Sequence, residues 1–383
     1  MTVTAPLGFE ASGIAAGIKT SGAPDLALIV NRGPSQQAAV VFTSNRAKAN
    51  PILWSQQVIV DGVASAIVLN SGGANCFTGP QGFQVTHRTA EAVAEALDVS
   101  AGDVLVCSTG LIGDQLDGEL LAAGVMTAAS ALSVDGGADA ARAIMTTDSH
   151  PKTTVVQRDG WSLGGIAKGA GMLAPGLATM LVVITTDADL TASALDASLR
   201  SATRVTFDRL DSDGCMSTND QVSLLASGAS GITPDVEEFT AALTEVCRDL
   251  ALQLQSDAEG ASHDIAIEVV GAVSELDAVE VGRSVARNNL FKAAIFGNDP
   301  NWGRVLAAIG TTSATFDPYN VDVSMNGVRV CSEGRPDRSR DEVDLEPRAV
   351  HVLIDLQVGE AQATIWTNDL THDYVHENSA YAS

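Results

Sequence analysis

Aromatic side chains make up only 4% of the 383 residues, too few for the stacked rings that hold single-stranded nucleic acid. Basic residues are scarce as well: 22 Lys and Arg against 47 Asp and Glu leave a formal charge of −25. Such a chain repels a phosphate backbone, which argues against nucleic acid as a partner. The five cysteines, at 76, 107, 215, 247 and 331, are odd in number, widely spaced and without a CxxC pair. A disulfide framework or zinc site is therefore not expected, and a reducing compartment fits. The opening residues lack a basic leader and a long apolar core, and no run approaches the ~20 apolar residues that span a bilayer. The expectation is a cytoplasmic protein with no membrane partner.

Apolar residues reach 45%, so a chain of this length can bury a sizeable core. Val- and Ile-rich runs predict strands at 27–31, 39–43, 66–70, 103–109, 179–186, 264–272, 321–326, 351–356 and 362–367. Helical spacing predicts helices at 86–99 and 234–259; in the second, Phe239, Leu243, Val246 and Leu250 form one apolar stripe and Gly260 follows as a terminator. Helices and strands do not alternate strictly, and strands gather towards both ends. The fold class expected is α+β, layered sheets with flanking helices. Gly-rich loops are expected at 70–82, 108–113, 164–171, 211–220 and 296–304.

Several chemistries fail on spacing. "GGIAKGAG" does not complete a phosphate-binding P-loop, and "GAGMLA" breaks the dinucleotide fingerprint at its last position. No HExxH occurs. His372 and His376 stand four apart in a short acidic tail that reads as solvated, so no metal is expected. "DSDGCMSTND" lacks the ligand spacing of a calcium loop. No GxSxG is present, and Cys107 sits in a strand pattern as a core thiol.

The stretch "KGAGMLAPGLATMLVVITT" (168–186) remains: a flexible lead-in, then an apolar strand that begins with Thr179. A Thr hydroxyl becomes a nucleophile when its own α-amine takes the proton, which requires a chain N-terminus. Attack by the hydroxyl on the carbonyl of Ala178, followed by hydrolysis, would create one. Spacing alone favours the simpler alternative, a loop followed by a β-branched strand residue.

The wider sequence resembles the ornithine acetyltransferase (glutamate N-acetyltransferase) family. "KGAGMLAPGLATML" is similar to that family's self-cleavage motif. "GFEASGIAAGIKTSGAPDLALIV", "VFTSNRAKANP", "NSGGANCFTGPQG", "VCSTGLIG", "AIMTTDSHPK", "STNDQVSLLASG", "FGNDPNWGRVLAAIG" and "YVHENSAYAS" match in order, so the resemblance spans nearly the whole chain. Two departures stand out: "NCFTG" replaces the usual Asn-Ala-Cys-Thr-Gly, and Cys215 stands where a small hydroxyl residue is common.

The resemblance implies a DmpA/ornithine-acetyltransferase-like fold and cleavage between Ala178 and Thr179, giving an α chain 1–178 and a β chain 179–383 in an α₂β₂ assembly. It implies Thr179 as nucleophile and Thr109 and Gly110 as the oxyanion hole. Substrate contacts are implied at Lys168, Glu259, Asn378, Ser383 and a Thr of "MTTD", with Thr147 preferred to Thr146. Lys168 would pair with a substrate carboxylate or aid the acyl shift. Glu259 is disfavoured by the dipole at a helix end, which supports a task such as holding an ammonium group. The implied reaction is ping-pong acetyl transfer from N2-acetyl-L-ornithine to L-glutamate in arginine biosynthesis. No cofactor is implied, and acetyl-CoA enters only as a second donor in a bifunctional enzyme. The competing reading is a self-processed amide hydrolase or aminopeptidase that passes the acyl group to water.

Overall fold

The structure, a computed structural model, describes residues 2–174 and 180–380. Two sheets face each other across a shared core. The first has four strands: Phe9–Ile14, Leu26–Asn31 and Ala66–Asn70 run antiparallel in turn, and Val104–Ser108 lies parallel to the third. The second has five, ordered Gln37–Phe42, Gln221–Ala226, Leu181–Thr186, Ser162–Lys168 and Lys152–Gln157. Phe9, Ile29, Ile67 and Leu105 from the first sheet meet Ile166, Leu181, Val183 and Leu225 from the second in one buried cluster. The outer face of the first sheet is covered by the helices Gly79–Leu97 and Gly118–Ser130. That of the second is covered by Ala192–Arg204 and Val236–Ser256. The result is four layers, helix–sheet–sheet–helix.

A further six-stranded sheet, built from strands between residues 264 and 368, packs helices Glu275–Ala286, Asn289–Phe296 and Trp302–Ile309 around its own core. Both units are α+β, as the interrupted alternation predicts. Each of the nine expected strands is present, and Asp264–Ala272 keeps its expected limits.

The stretch 164–171, expected as a loop, instead lies largely in the buried strand Ser162–Lys168. Its glycines serve packing rather than turning. A Cβ on Gly164 would lie 2.3 Å from the carbonyl oxygen of Thr2, and one on Gly165 would meet Leu250 at 3.0 Å. The long helix ends at Ser256, so Glu259 lies in the loop beyond it rather than on its last turn. The helix expected at 86–99 begins earlier, at Gly79, with a proline in its first turn where no N–H is needed. The final segment is also more ordered than expected: His372–Ala380 is helical.

Leu181–Thr186 is the central strand of the five. Its first residue pairs with Lys168 on one side and with Gln221 on the other. Residues before and after position 178 thus contribute neighbouring strands to one sheet. A cut at that position would leave the two pieces hydrogen-bonded together.

Candidate active site

The parallel strands Ala66–Asn70 and Val104–Ser108 end at the same level, with Asn70 opposite Ser108. The two Gly-bearing loops that follow are tied by the Thr109 N–H, which donates to the Asn70 carbonyl at 3.0 Å. Asn219, just ahead of Gln221–Ala226, donates from Nδ2 to the carbonyl oxygens of Ala74 (2.6 Å) and Ser108 (2.8 Å). The loops of one sheet are therefore fixed to the start of a strand in the other. Gly110 has φ +127°, and a Cβ there would lie 2.9 Å from the backbone nitrogen of Gly73. Only glycine fits this backbone and this approach. Among the described residues, the Gly110 N–H has no acceptor.

Lys168 ends its strand fully buried, at 2% exposure, and donates from Nζ to Thr109 Oγ1 at 3.2 Å. Burial lowers its pKa, opposed by the charge of Asp148. An ammonium has three donors. Among the described residues, only one of those of Lys168 has an acceptor.

The second cluster centres on Glu259. Thr147 Oγ1 donates to Glu259 Oε1 at 2.8 Å, and Asn378 Nδ2 donates to Glu259 Oε2 at 3.0 Å. Gly171 makes room for this carboxylate, since a Cβ there would stand 2.6 Å from Oε2. The Glu259 N–H also donates to the Ala170 carbonyl at 3.0 Å. Three residues that the resemblance implies as contacts are thus joined directly, and of the Thr146–Thr147 doublet it is Thr147 whose side chain touches Glu259.

Asp148, not identified from the sequence, connects the two clusters. Its Oδ2 accepts the Thr146 N–H at 2.9 Å, and its Oδ1 accepts the Gly169 N–H at 2.6 Å and Lys152 Nζ at 2.7 Å. Lys152 is completely buried and also donates to Asp257 Oδ2 at 2.5 Å. Burial alone would raise the pKa of Asp148. The charges of Lys168 and Lys152 and the bonds from Gly169 and Lys152 outweigh it and bring the value to about 2. The signal in the sequence was an acid and a lysine four apart in "DSHPK", which reads equally well as a solvated loop.

Asp220 is the other missed group. It is fully buried and accepts the Met180 N–H at 3.1 Å. Burial raises its pKa well above the usual carboxylate value, against hydrogen bonds from Met180, Ser217 and Thr43.

Ala178, Thr179 and Ser383 lie outside the described residues. Cys107 is a buried free thiol whose pKa burial raises, which agrees with a core role. Among the described residues, no three His, Cys, Asp or Glu side chains are placed to hold a metal ion, and no helix is long and apolar enough to cross a membrane. A cleft of about 760 Å³ opens beside Gly110 and Thr147, lined also by Ser71, Leu111 and Leu116.

A model of the ArgJ family matches residues 10–383. Over 383 residues the chain is 66% identical to the arginine biosynthesis bifunctional protein ArgJ of Streptomyces avermitilis and 60% identical to that of Thermobifida fusca, with 100% of each chain covered. It is also similar to the solved structure of the arginine biosynthesis bifunctional protein ArgJ of Bacillus halodurans. That match has 34% identity and a TM-score of 0.50, and it covers 51% of this chain and 97% of that one.

Proposed function

This chain belongs to the ArgJ family, and from that membership we propose that it moves an acetyl group from N2-acetyl-L-ornithine to L-glutamate through Thr179. The observation that carries the reading is the convergence of a buried ammonium, a glycine N–H with no acceptor among the described residues and a shared carboxylate around the strand Leu181–Thr186.

Maturation comes first. Thr179 Oγ attacks the carbonyl carbon of Ala178, the peptide bond becomes an ester, and water hydrolyses it. Ala178 leaves with a carboxylate and Thr179 gains a free α-amine. The solved Bacillus halodurans chain is about half the length of this one, the size such a cut leaves. The products, 1–178 and 179–383, stay together through the shared five-stranded sheet and assemble as α₂β₂.

Transfer then runs in two halves. With a pKa of about 7.7–8.0, the α-amine is partly neutral at physiological pH and takes the hydroxyl proton. Thr179 Oγ attacks the acetyl carbonyl of N2-acetylornithine. The developing oxyanion accepts from the Thr109 hydroxyl and the Gly110 N–H. The amide C–N bond breaks, and ornithine leaves with the proton. The neutral amine of glutamate attacks the acetyl-Thr179 ester, the bond from the acetyl carbon to Oγ breaks, the amine proton returns through the α-amine to the Thr179 hydroxyl, and N-acetylglutamate departs. Glu259, Thr147, Asn378, Lys168 and Ser383 hold the amino-acid parts that both substrates share. No metal or organic cofactor takes part. Acetyl-CoA serves as a second donor, in keeping with the relatives' designation as bifunctional. The site of action is the cytoplasm.

The test pairs intact mass with turnover. Purified protein should show two chains, the second beginning at Thr179, and should pass acetyl from N2-acetylornithine to glutamate. Thr179→Ala should remain one chain and be inactive. A cut protein that releases acetate at the same rate with and without glutamate would instead be the hydrolase.

A further inference from the structure

We propose that Lys168 serves the transition state through Thr109, as the charged donor behind the oxyanion-hole hydroxyl, and that Asp148 is the positioning residue for that lysine. The proposal rests on the reading of Thr109 and Gly110 as the oxyanion hole.

The geometry is directional. Thr109 spends its backbone N–H on Asn70, and its Oγ1 accepts from Lys168 Nζ. Its hydroxyl proton therefore points away from Lys168, and among the described residues it has no acceptor. A hydroxyl oxygen that accepts from a cation becomes a stronger donor, because charge-assisted and chained hydrogen bonds reinforce one another in a buried setting. The order is ammonium, hydroxyl oxygen, hydroxyl proton, oxyanion. Gly110, next in the chain, supplies the second donor without a relay.

Asp148 fixes the lysine end of this arrangement and the turn beside it. Its bond to the Gly169 N–H anchors the backbone immediately after Lys168, and its bond to the Thr146 N–H holds the turn that carries Thr147. The charged groups facing Lys168 come from four elements. Asp148 lies in the turn before Lys152–Gln157, Lys152 on that strand, Asp220 ahead of Gln221–Ala226, and Glu259 after the long helix. Burial works against the ammonium, Lys152 adds to that, and the three acids oppose both. Removal of the Asp148 charge leaves Lys168 easier to deprotonate. A neutral lysine amine is a weaker donor to Thr109.

A lysine that only pairs with a substrate carboxylate acts on KM and is indifferent to Thr109. A relay acts on kcat and is coupled to Thr109. The experiment is a double-mutant cycle on acetyl transfer from N2-acetylornithine to glutamate, with Thr109→Val, Lys168→Gln and the pair. Intact mass confirms that each variant is cut. Thr109→Val should lower kcat by about 100- to 1,000-fold, the typical loss of one oxyanion donor. Lys168→Gln should lower kcat about tenfold or more alone but less than about threefold in the Thr109→Val background, as expected for residues that act as a unit. Thr109→Ser, which keeps the hydroxyl, should retain the dependence on Lys168. Asp148→Asn should shift the alkaline limb of the kcat profile to lower pH, Asp148→Glu should restore it, and Thr109→Val should abolish the shift.

Penalties for Thr109→Val and Lys168→Gln that simply multiply overturn the relay, as does a Lys168→Gln effect confined to KM. If Thr109→Val leaves kcat unchanged, the oxyanion-hole reading itself falls. Should Asp148→Asn fail to fold, the Thr109 and Lys168 cycle decides without it.

Discussion

Asp220 Oδ1 accepts the backbone N–H of Met180 at 3.1 Å, and the carboxyl group is completely buried. The chain is thus gripped at the second residue after the proposed cut. Burial favours the protonated carboxyl, and an amide carbonyl can accept the same bond. Asp220→Asn should therefore cut at close to the normal rate. Asp220→Ala strands a buried N–H at a cost of about 1–3 kcal/mol, which should slow cutting by about 10- to 100-fold if the bond aligns the scissile peptide. Intact mass over time after purification gives both rates. Equal rates for the two variants would leave Asp220 a packing residue.

Glu259 is contacted through both carboxylate oxygens, by Thr147 and by Asn378. It is only partly buried and lies in a loop, so its loss should not unfold the chain. Glu259→Ala should raise KM for N2-acetylornithine by about 10- to 100-fold, the scale of a lost hydrogen bond to a charged group. Asn378→Ala breaks one contact of the two and should raise KM by less. Steady-state kinetics with matched melting curves test this. A fall in kcat at unchanged KM would remove Glu259 from ground-state binding.

Much of this was legible in the sequence. Strands such as 66–70 and 264–272 follow from unbroken apolar runs or period-two alternation, which burial enforces locally. The strand Ser162–Lys168 was not legible, because Gly164 and Gly165 are there to let Thr2 and Leu250 approach, and only the tertiary structure contains those neighbours. For the same reason Lys168 ends a strand where the composition predicts a loop. The site residues came from motif resemblance, whereas Asp148 and Asp220 did not. A buried carboxylate and a solvated one look alike in sequence until the partners, Lys152 and Met180 here, are brought beside them. The long helix ends three residues before the predicted limit of 259 for a related reason. Glu259 continues the helical composition, but its backbone N–H is taken by Ala170.

Asp148 should leave a signature in acid. Its pKa of about 2 in the fold lies below the ordinary 3.8. Above pH 3.8 both folded and unfolded chains carry the charge, and its full stabilisation, on the order of 2 kcal/mol, is present. As pH falls from there towards 2, the unfolded chain takes up its proton first and the stabilisation drains away. In the Thr179→Ala background, where α and β cannot separate, and at one fixed protein concentration, the urea-unfolding free energy should fall more steeply between pH 4 and 2 than in the same background with Asp148→Asn. Parallel slopes would contradict the assigned shift.

Gly110 and Gly171 should respond to alanine in opposite ways. At Gly110 the backbone has φ +127° and the new Cβ meets the backbone nitrogen of Gly73 at 2.9 Å, so neither side can yield cheaply. Gly110→Ala should displace the loop after Thr109, with a lower melting temperature and a fall in kcat. Gly171 has no such backbone strain. Its Cβ would meet the carboxylate of Glu259 at 2.6 Å, the far end of a side chain that can rotate away. Gly171→Ala should therefore melt within a few degrees of the parent while losing the contacts that Glu259 makes to Thr147 and Asn378. Its KM should rise towards that of Glu259→Ala, and combining the two substitutions should add little, since both remove the same carboxylate from the same place. Full additivity would mean that Gly171 acts on the substrate by another route.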